Sequence, residues 1–410
     1  MYITECRVCK SKDLHKFLDF GLQPAADAFL KKEQLEQPEP KHPLEVWFCK
    51  ECSHVQLGYI APRKPLFESF TYLSSVSKTM RENFQNIANE AVSMFNLEKG
   101  YLVIDIGCND GTLLKFFRAL GTKVLGIDPS PTVKFAIADD IDVINDFFTE
   151  GVSYGVLKKH GKASIVTGTN VFAHIDDYDS FLKGLNITLE DDGVMIWEFP
   201  YLVDTLNKLE FDTMYHEHLS YFSLKPLMTL FKRFDMELFD AKRNPIHGGS
   251  IRIFVKKSVG KWEVNHNNLN ELLEIEKNMK LDSLDTYLEF AEKVNKIKED
   301  FVNLLKKIKS EGKRIVGNGA PAKGNALLNY CGIGPEIIDY LAEINPLKHG
   351  LYTPGMRIPV VSLEKLHENK PDYILLFAWN YAEEIMKKHQ PYIDGGGKFI
   401  VPLPKISVVP

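Results

Sequence analysis

The chain has 410 residues, of which 44% are apolar and 26% are charged, and its formal net charge is −5. This length is too great for one hydrophobic core and predicts two or three domains. A run of about 18 apolar residues is absent, which excludes a membrane-spanning helix, and the scattered lysines and arginines argue against a nucleic-acid partner. The first ten residues lack the apolar core of a secretory signal, which predicts a cytoplasmic protein.

Residues 1–70 are rich in proline and aromatic residues and contain two close pairs of cysteines. Each Cys-x-x-Cys pair can bend around one ion, and two pairs complete the four-sulfur shell that suits Zn²⁺. Such a closed shell leaves no open position for chemistry, so the predicted role of the metal is structural. His54 is an alternative ligand, and four unrelated buried thiols are the alternative to a metal site. The predicted ligands are Cys6, Cys9, Cys49 and Cys52.

Residues 77–97 predict a helix that leads into a second region, where apolar strands alternate with helical segments. Five apolar runs follow one another from Tyr101, and residues 251–257 can supply a late strand. Repeated strand–helix units of this kind predict a parallel, doubly wound sheet with helices on both faces.

The first strand of this region ends in a turn with the sequence DIGCNDG. Glycines at such a turn let a ligand approach the backbone, and the following helix offers free N–H groups. The next strand ends in an aspartate that can accept hydrogen bonds from both ribose hydroxyls. The turn resembles the class I methyltransferase pattern more than the G-x-G-x-x-G of dinucleotide folds, and an ordinary strand-to-helix turn is the alternative. The residues assigned to S-adenosylmethionine are Asp105, Gly107, Asn109, Gly111 and Asp128.

A second cluster of reactive side chains lies at residues 215–218, with the sequence YHEH. A neighbouring His–Glu pair suits general-base work because the carboxylate orients and charges the imidazole, although an interfacial structural cluster fits equally well. His174 follows the fourth strand, at the carboxyl edge where ligands bind to such sheets. The HGGS segment at 247–250 predicts a tight turn, and Arg252 is a candidate anion contact.

Two further patterns occupy the rest of the chain. Apolar residues recur at helical spacing within residues 268–310, which predicts long amphipathic helices that bridge two domains. A second α/β pattern starts after Gly312. Its segment 317–324 follows a strand and opens a helix, as in phosphate-binding loops, but lacks the Gly-Lys-Ser/Thr of a Walker motif.

These motifs together resemble the nucleotide-sugar C-methyltransferase family, typified by the C-3-methyltransferases that act on TDP-4-keto-deoxyhexoses. The matches run nearly from end to end, and YHEHLSYFS combined with GAPAKGN is highly specific. The matching segments are the two Cys-x-x-Cys pairs, GLQPAADAFL, YLSSVS, DIGCNDGTLL, NVFAHIDD, YHEHLSYFS, HGGSIRIF, GAPAKGNALLNY, NPLKHGLYTPGMRIPV and AWNYAEEI.

The resemblance implies an α/β protein in which a zinc module, a class I methyltransferase domain and a C-terminal Rossmann-like domain enclose one cleft. It implies that S-adenosylmethionine binds the middle domain, where we add Asn170 to its contacts, and that the sugar nucleotide lies toward the C-terminal domain. In this family a base removes the proton beside the ketone, and the resulting enolate carbon takes the methyl group.

The resemblance also implies roles for particular side chains. It places Tyr215, Glu217 and His218 at the reacting carbon, and His174 and Tyr72 along the sugar. In this scheme His218 is the base, Glu217 orients it, and Tyr215 donates to the developing enolate. The nucleotide contacts, chosen from residue type alone, are Arg252, Lys323 and Trp379.

The predicted domain boundaries are 1–70 for the zinc module, 71–260 for the methyltransferase domain, 261–310 for a helical connector and 311–410 for the C-terminal domain. An O- or N-methyltransferase of another small molecule is the main alternative. From a different class, the zinc module is a partner- or RNA-binding element on an idle methyltransferase fold. A nicotinamide-dependent oxidoreductase is disfavoured by the turn sequence, and the oligomeric state stays open.

Overall fold

A computed structural model describes residues 1–68 and 72–410, and its strands form three separate sheets. The boundary predicted between residues 70 and 71 lies outside the described residues. The strands are β1 (Leu14–Gln23), β2 (His42–Cys49), β3 (Val55–Leu57), β4 (Leu102–Ile106), β5 (Lys123–Ile127), β6 (Asp142–Ile144), β7 (Ala163–Thr169), β8 (Leu189–Pro200), β9 (Ser220–Tyr221), β10 (Met236–Asn244), β11 (Ser250–Lys257), β12 (Ile315–Asn318), β13 (Ile338–Glu343), β14 (Val360–Ser362), β15 (Tyr373–Leu376), β16 (Lys398–Val401) and β17 (Ser407–Val409).

Helices cover the faces of the sheets and connect their strands. The α-helices are α1 (Arg63–Glu68), α2 (Lys78–Met94), α3 (Thr112–Ala119), α4 (Val133–Ala138), α5 (Glu150–His160), α6 (Tyr178–Thr188), α7 (Leu202–Asn207), α8 (Leu224–Lys232), α9 (His266–Asn278), α10 (Leu284–Ser310), α11 (Ala322–Cys331), α12 (Lys365–Asn369), α13 (Ala382–Lys388) and α14 (Gln390–Asp394). Among the described residues, none of these helices combines the length and the apolar character that crossing a bilayer requires.

The N-terminal sheet is antiparallel and has the strand order β1-β2-β3-β9. Burial along β2 alternates over much of its length, as expected for a strand with one face on the core. The fourth strand, β9, comes from the middle of the chain, immediately after the YHEH segment. The N-terminal module and the predicted catalytic segment therefore share one sheet.

The central sheet has seven strands in the order β10-β11-β8-β7-β4-β5-β6. The five strands from β8 to β6 are parallel, as the alternating pattern predicts, and β4 is buried along its whole length. The sheet is not purely parallel, because the late strand β11 runs antiparallel to both of its neighbours, β8 and β10. The chain crosses over at β4, whose neighbours are β5 and β7, and ligands bind at the carboxyl ends of strands at such a crossover.

The C-terminal sheet has the order β14-β13-β12-β15-β16-β17, parallel except for β17. Its crossover lies at β12, directly before α11. The predicted helical segment contains α9 and α10. Tyr287 of α10 packs on Phe48 of the N-terminal module, and Asn295 accepts a hydrogen bond from Tyr330 of α11, so α10 contacts both ends of the molecule.

Candidate active site

The two Cys-x-x-Cys turns have the same backbone geometry. Cys6 and Cys9 precede β1, while Cys49 ends β2 and Cys52 follows it. In each turn the residue after the second cysteine is left-handed, and its N–H donates to the carbonyl of the first cysteine at 2.9–3.0 Å. Each turn therefore points two thiols toward a common centre.

The four sulfur atoms lie within 4.8 Å of one another. The Sγ atoms of Cys6 and Cys52 are 3.7 Å apart, and those of Cys9 and Cys49 are 3.6 Å apart. A tetrahedral shell with Zn–S bonds of about 2.3 Å has edges of about 3.8 Å, so this donor set fits zinc. His54 is not part of the cluster, because its Nε2 lies 3.1 Å from Oγ of Ser220.

A cavity of about 390 Å³ lies where the N-terminal module and the carboxyl edges of the other two sheets meet. Its volume falls in the range of small-molecule sites. The predicted site residues that line it are Tyr72, Asp105, Gly107, Asn109, Asp128, Asn170, His174, Tyr215, Glu217, His218 and Lys323.

The glycine turn after β4 forms one wall of this cavity. Gly107 has φ +76°, and a Cβ there would lie 2.9 Å from Cγ2 of Val171, so a larger residue would not fit. Burial raises the pKa of Asp105 to about 7, although its Oδ1 accepts a hydrogen bond from Oγ1 of Thr167 at 2.7 Å. Asp128 accepts the backbone N–H groups of Asn109 and Ser130, and burial raises its pKa. Its two oxygens retain lone pairs for ligand hydroxyls.

Asn109 stands where the class I methyltransferase pattern, acidic-x-G-x-G-x-G, has its middle glycine, and it holds a neighbouring segment in place. Its backbone is left-handed, with φ +52°, a conformation that asparagine tolerates better than most residues. Its Nδ2 donates to the carbonyl of Tyr72 at 2.9 Å, and its Oδ1 accepts from the N–H of Ser74 at 3.1 Å. Asp110 accepts the N–H of Ser75 at 2.8 Å. The turn therefore anchors the start of the 72–77 segment over the cavity.

His218 has a defined tautomer. Its Nδ1 lies 2.8 Å from the carbonyl oxygen of Thr213, which can only accept, so Nδ1 carries the proton. In the neutral ring Nε2 is then an acceptor, and the hydroxyl of Tyr215 donates to it at 2.9 Å. Burial lowers the pKa of His218 to about 4, which keeps the ring neutral at neutral pH. The ring is oriented by Thr213 and not by Glu217, because both of its nitrogens are already occupied.

Two further imidazoles face the same space. The ring of His174 stacks on that of His218 with centroids 5.1 Å apart, and its buried Nε2 has no hydrogen-bond partner within residues 1–68 and 72–410. Burial, together with His218 and Arg63, lowers the pKa of His174 well below its usual value. His247 lines the cavity, and burial lowers its pKa to about 4, with smaller contributions from Lys323 and His218. All three rings are therefore neutral at neutral pH.

Glu217, next to His218 in the chain, lies near a buried ion pair that also lines the cavity. Burial raises its pKa to about 8, and the nearby carboxylate of Asp27 adds to this, so Glu217 is largely protonated at neutral pH. Its Oε2 is buried without a hydrogen-bond partner among the described residues. Lys348 donates to Asp27 at 3.0 Å and to the carbonyl of Ala320 at 2.9 Å. This ion pair joins the N-terminal module to the C-terminal domain.

Three predicted site residues do not line the cavity. The guanidinium of Arg252 is bound by Glu198 at 2.7 Å and Glu90 at 2.6 Å, so it ties α2 to the sheet and is not directed at an anion in the cavity. Gly111 is the N-cap of α3, where a Cβ would lie 2.8 Å from Cβ of Ala136. Trp379 is separated from the cavity by Lys323, whose Nζ lies 4.8 Å from the centroid of the Trp379 ring. The Nε1 of Trp379 donates to Asp212.

The sequence interpretation missed several residues of the site. Thr213 acts on His218 only through its backbone carbonyl. Every residue type has such a carbonyl, so a sequence motif cannot reveal this contact. Asp27 and Lys348 each lie in a segment already matched to the family, GLQPAADAFL and NPLKHG. Their pairing across 321 residues required the folded structure.

Comparisons with known proteins agree with this architecture. The family model "Putative zinc binding domain" matches residues 6–67, "Methyltransferase domain" matches 72–240, and "C-methyltransferase C-terminal domain" matches 245–404. The C-methyltransferase NovU of Streptomyces niveus is 36% identical over 409 residues, which cover 99% of this chain and 97% of NovU. The chain belongs to the C-methyltransferase family of NovU. This C-methyltransferase therefore uses S-adenosylmethionine and has a zinc-binding N-terminal domain, and the predicted fold class is confirmed.

Other similarities are restricted to part of the methyltransferase. A ubiquinone biosynthesis O-methyltransferase of Rhodopseudomonas palustris (strain TIE-1) is 31% identical over 113 residues, or 27% of this chain and 42% of that protein. The magnesium protoporphyrin IX methyltransferase ChlM from Synechocystis PCC 6803, solved with bound SAH, is 16% identical with a TM-score of 0.34. That comparison covers 43% of this chain and 82% of ChlM.

Proposed function

We propose that this methyltransferase transfers the methyl group of S-adenosylmethionine to the carbon beside the ketone of a nucleotide-linked 4-keto-deoxysugar, with C-3 as that carbon. The observation that carries the proposal is the neutral His218, with its acceptor Nε2 beside the hydroxyl of Tyr215, in the cavity that also contains the donor turn. Similarity to a C-methyltransferase over nearly the full chain supports it.

The reaction needs a carbon nucleophile, since the sulfonium donor is already activated. A proton beside a ketone is only weakly acidic, so its removal requires both a base and a stabiliser for the enolate. When the ketone oxygen takes the hydrogen bond of Tyr215, Nε2 of His218 becomes free to accept that proton. The imidazolium keeps its Nδ1–H bond to Thr213, and Tyr215 donates to the enolate oxygen.

The methyl donor is assigned to the turn after β4. Asp128 accepts the ribose hydroxyls, Gly107 allows close approach of the ligand to the backbone, and Asp105 and Asn170 complete the contacts. Asn109 acts through the 72–77 segment that it anchors. We assign the sugar to His174 and Tyr72 as well as to the catalytic pair.

The nucleotide end is assigned to the C-terminal domain. Lys323 lies in the first turn of α11, lines the cavity and is held by Oδ1 of Asn380 at 2.7 Å. An ammonium group at a helix N-terminus suits a diphosphate. The ring of Trp379 packs against the ammonium group of Lys323. Arg252 is not assigned to the nucleotide, because Glu90 and Glu198 already bind its guanidinium. The zinc ligands of the N-terminal module are the four clustered cysteines, in a structural role.

An O-methyltransferase remains the second candidate, since the methyltransferase domain is similar to one over about a quarter of the chain. The decisive experiment incubates the purified protein with ¹³C-methyl donor and a panel of 4-keto sugar nucleotides. NMR of the product shows whether the label is on carbon or oxygen. The matched control is each sugar nucleotide with its ketone reduced. C-methylation must disappear with the ketone, whereas O-methylation of either substrate contradicts the proposal.

A further inference from the structure

The segment that carries His218 is held by the zinc module. Directly after His218, β9 pairs with β3, with Gln56 opposite Ser220. Leu219, between His218 and Ser220, is held through both of its backbone polar groups. Its N–H donates to the carbonyl of Ala173 at 2.8 Å, next to His174, and its carbonyl accepts the N–H of Leu57 at 3.0 Å.

Arg7 makes a third contact to the backbone of Leu219. It lies inside the first Cys-x-x-Cys turn, between Cys6 and Cys9, and only 5% of it is exposed. Its Nη1 donates to the carbonyl of Leu219 at 3.1 Å and to the carbonyl of Leu57 at 3.0 Å.

The direction of the guanidinium is fixed by Gln56. The amide oxygen of Gln56 accepts both the backbone N–H of Arg7 at 3.1 Å and its Nη1 at 3.2 Å. The remaining nitrogens of Arg7, Nε and Nη2, are buried and have no partner in the described part of the chain. A buried cation with incomplete hydrogen bonding is costly, so a role other than stabilising the module is favoured.

We infer that Arg7 is a positioning residue for His218, an inference that rests on the proposed function. It fixes the carbonyl of Leu219, and thereby the backbone position of the residue that follows His218 and the start of β9. Its position in the metal-binding turn makes the N-terminal module a part of the catalytic framework. Small displacements of a catalytic group can cost about 10²-fold in rate.

Arg233 provides a matched control for a merely structural role. Its Nη1 donates to the carbonyl of Val8, in the same turn, at 2.6 Å, and its Nη2 to Asp179 at 2.8 Å. It therefore joins the same turn to the methyltransferase domain without contacting the His218 segment. Arg7→Met removes the side-chain contact to Leu219, and Arg233→Met removes the side-chain contact to Val8. The backbone hydrogen bond between Leu57 and Leu219 remains in both variants.

The first measurement is the imidazole ¹⁵N spectrum of the full-length, zinc-loaded protein without substrate. The signals of His218 are assigned by their loss in His218→Ala. We expect the neutral Nδ1–H tautomer of His218 in the wild type, in Arg7→Lys and in Arg233→Met. In Arg7→Met we expect the signals of His218 to show that this tautomer is no longer the single form present. A His218 spectrum unchanged in Arg7→Met overturns the inference. If Arg7→Met does not fold, Gln56→Met, which frees the guanidinium, is read in the same way.

The second measurement is steady-state kinetics together with donor binding. We expect kcat of Arg7→Met to fall about 10- to 100-fold with donor affinity within about twofold of wild type, and Arg7→Lys to recover most of the loss. Equal losses in Arg7→Met and Arg233→Met overturn the inference. Failure of the wild type to methylate any 4-keto sugar nucleotide defeats the proposed function instead, while the spectra still test the positioning.

Discussion

The hydroxyl of Tyr215 lies 2.9 Å from Nε2 of His218, and the two ring centroids are 4.1 Å apart. Because Thr213 fixes the proton of His218 on Nδ1, the tyrosine is the donor in this pair and the histidine is the acceptor. In the proposed reaction, the base and the donor that enolate formation requires are therefore adjacent before substrate binds. The ketone of the proposed substrate needs only to replace His218 as the hydrogen-bond acceptor of this hydroxyl.

Tyr215→Phe tests the donor in this pair. The variant keeps the ring but removes the hydroxyl aimed at the developing charge, and we expect kcat to fall about 10²-fold. Tyr330→Phe is the control, since its hydroxyl bonds to Asn295 outside the cavity. Equal kcat values for the two variants in steady-state assays contradict the role of Tyr215.

The metal prediction concerns stoichiometry and stability. We expect about one zinc per chain by elemental analysis, and Cys6→Ser to lose zinc and melt at a lower temperature, because metal binding contributes folding free energy. Cys331→Ser is the control, as that buried thiol lies outside the cluster. Folded, active protein without zinc contradicts the assignment.

Donor binding is expected to depend on Asp128. Asp128→Asn removes a charge and one of the acceptors assigned to the ribose, which we expect to cost roughly 2–3 kcal/mol, or about a hundredfold in affinity for S-adenosylmethionine. Asp142→Asn, at the start of β6 on the exposed rim of the same sheet, should bind normally. Calorimetry that gives equal affinities for both variants means that the ribose lies elsewhere.

A pH-dependent stability follows from Glu217, whose folded-state pKa is raised to about 8 by burial. Between pH 4.5 and 8 the folded protein retains a proton that the unfolded chain has lost, so this group's contribution to stability falls as pH rises through that window. Glu217→Gln removes the effect. We expect its Tm advantage over wild type, measured without ligands, to grow by several degrees from pH 5 to pH 8. A Tm difference independent of pH contradicts a buried, protonated Glu217.

Much of this site could be predicted where one segment supplies both the motif and its geometry. The glycine turn with Asp105 and Gly107 is such a case, because the strand, the turn and the helix that form it are consecutive in the sequence. The role of Asn109 was not predictable, since its partners in the 72–77 segment approach only in the folded chain. Arg252 shows the same limit, because an arginine near a glycine turn suggests an anion, whereas its partner Glu90 lies 162 residues away.

The most direct test of the central claim is the rate of C-methylation by His218→Ala, compared with His216→Ala. His216 is buried two residues away, but its Nε2 lies 3.3 Å from the carbonyl of His42 and it does not line the cavity. Loss of the base should reduce turnover of His218→Ala about 10²- to 10⁴-fold, with donor affinity unchanged and His216→Ala near the wild-type rate per folded enzyme. Near-normal C-methylation by His218→Ala would contradict the assignment of His218 as the base.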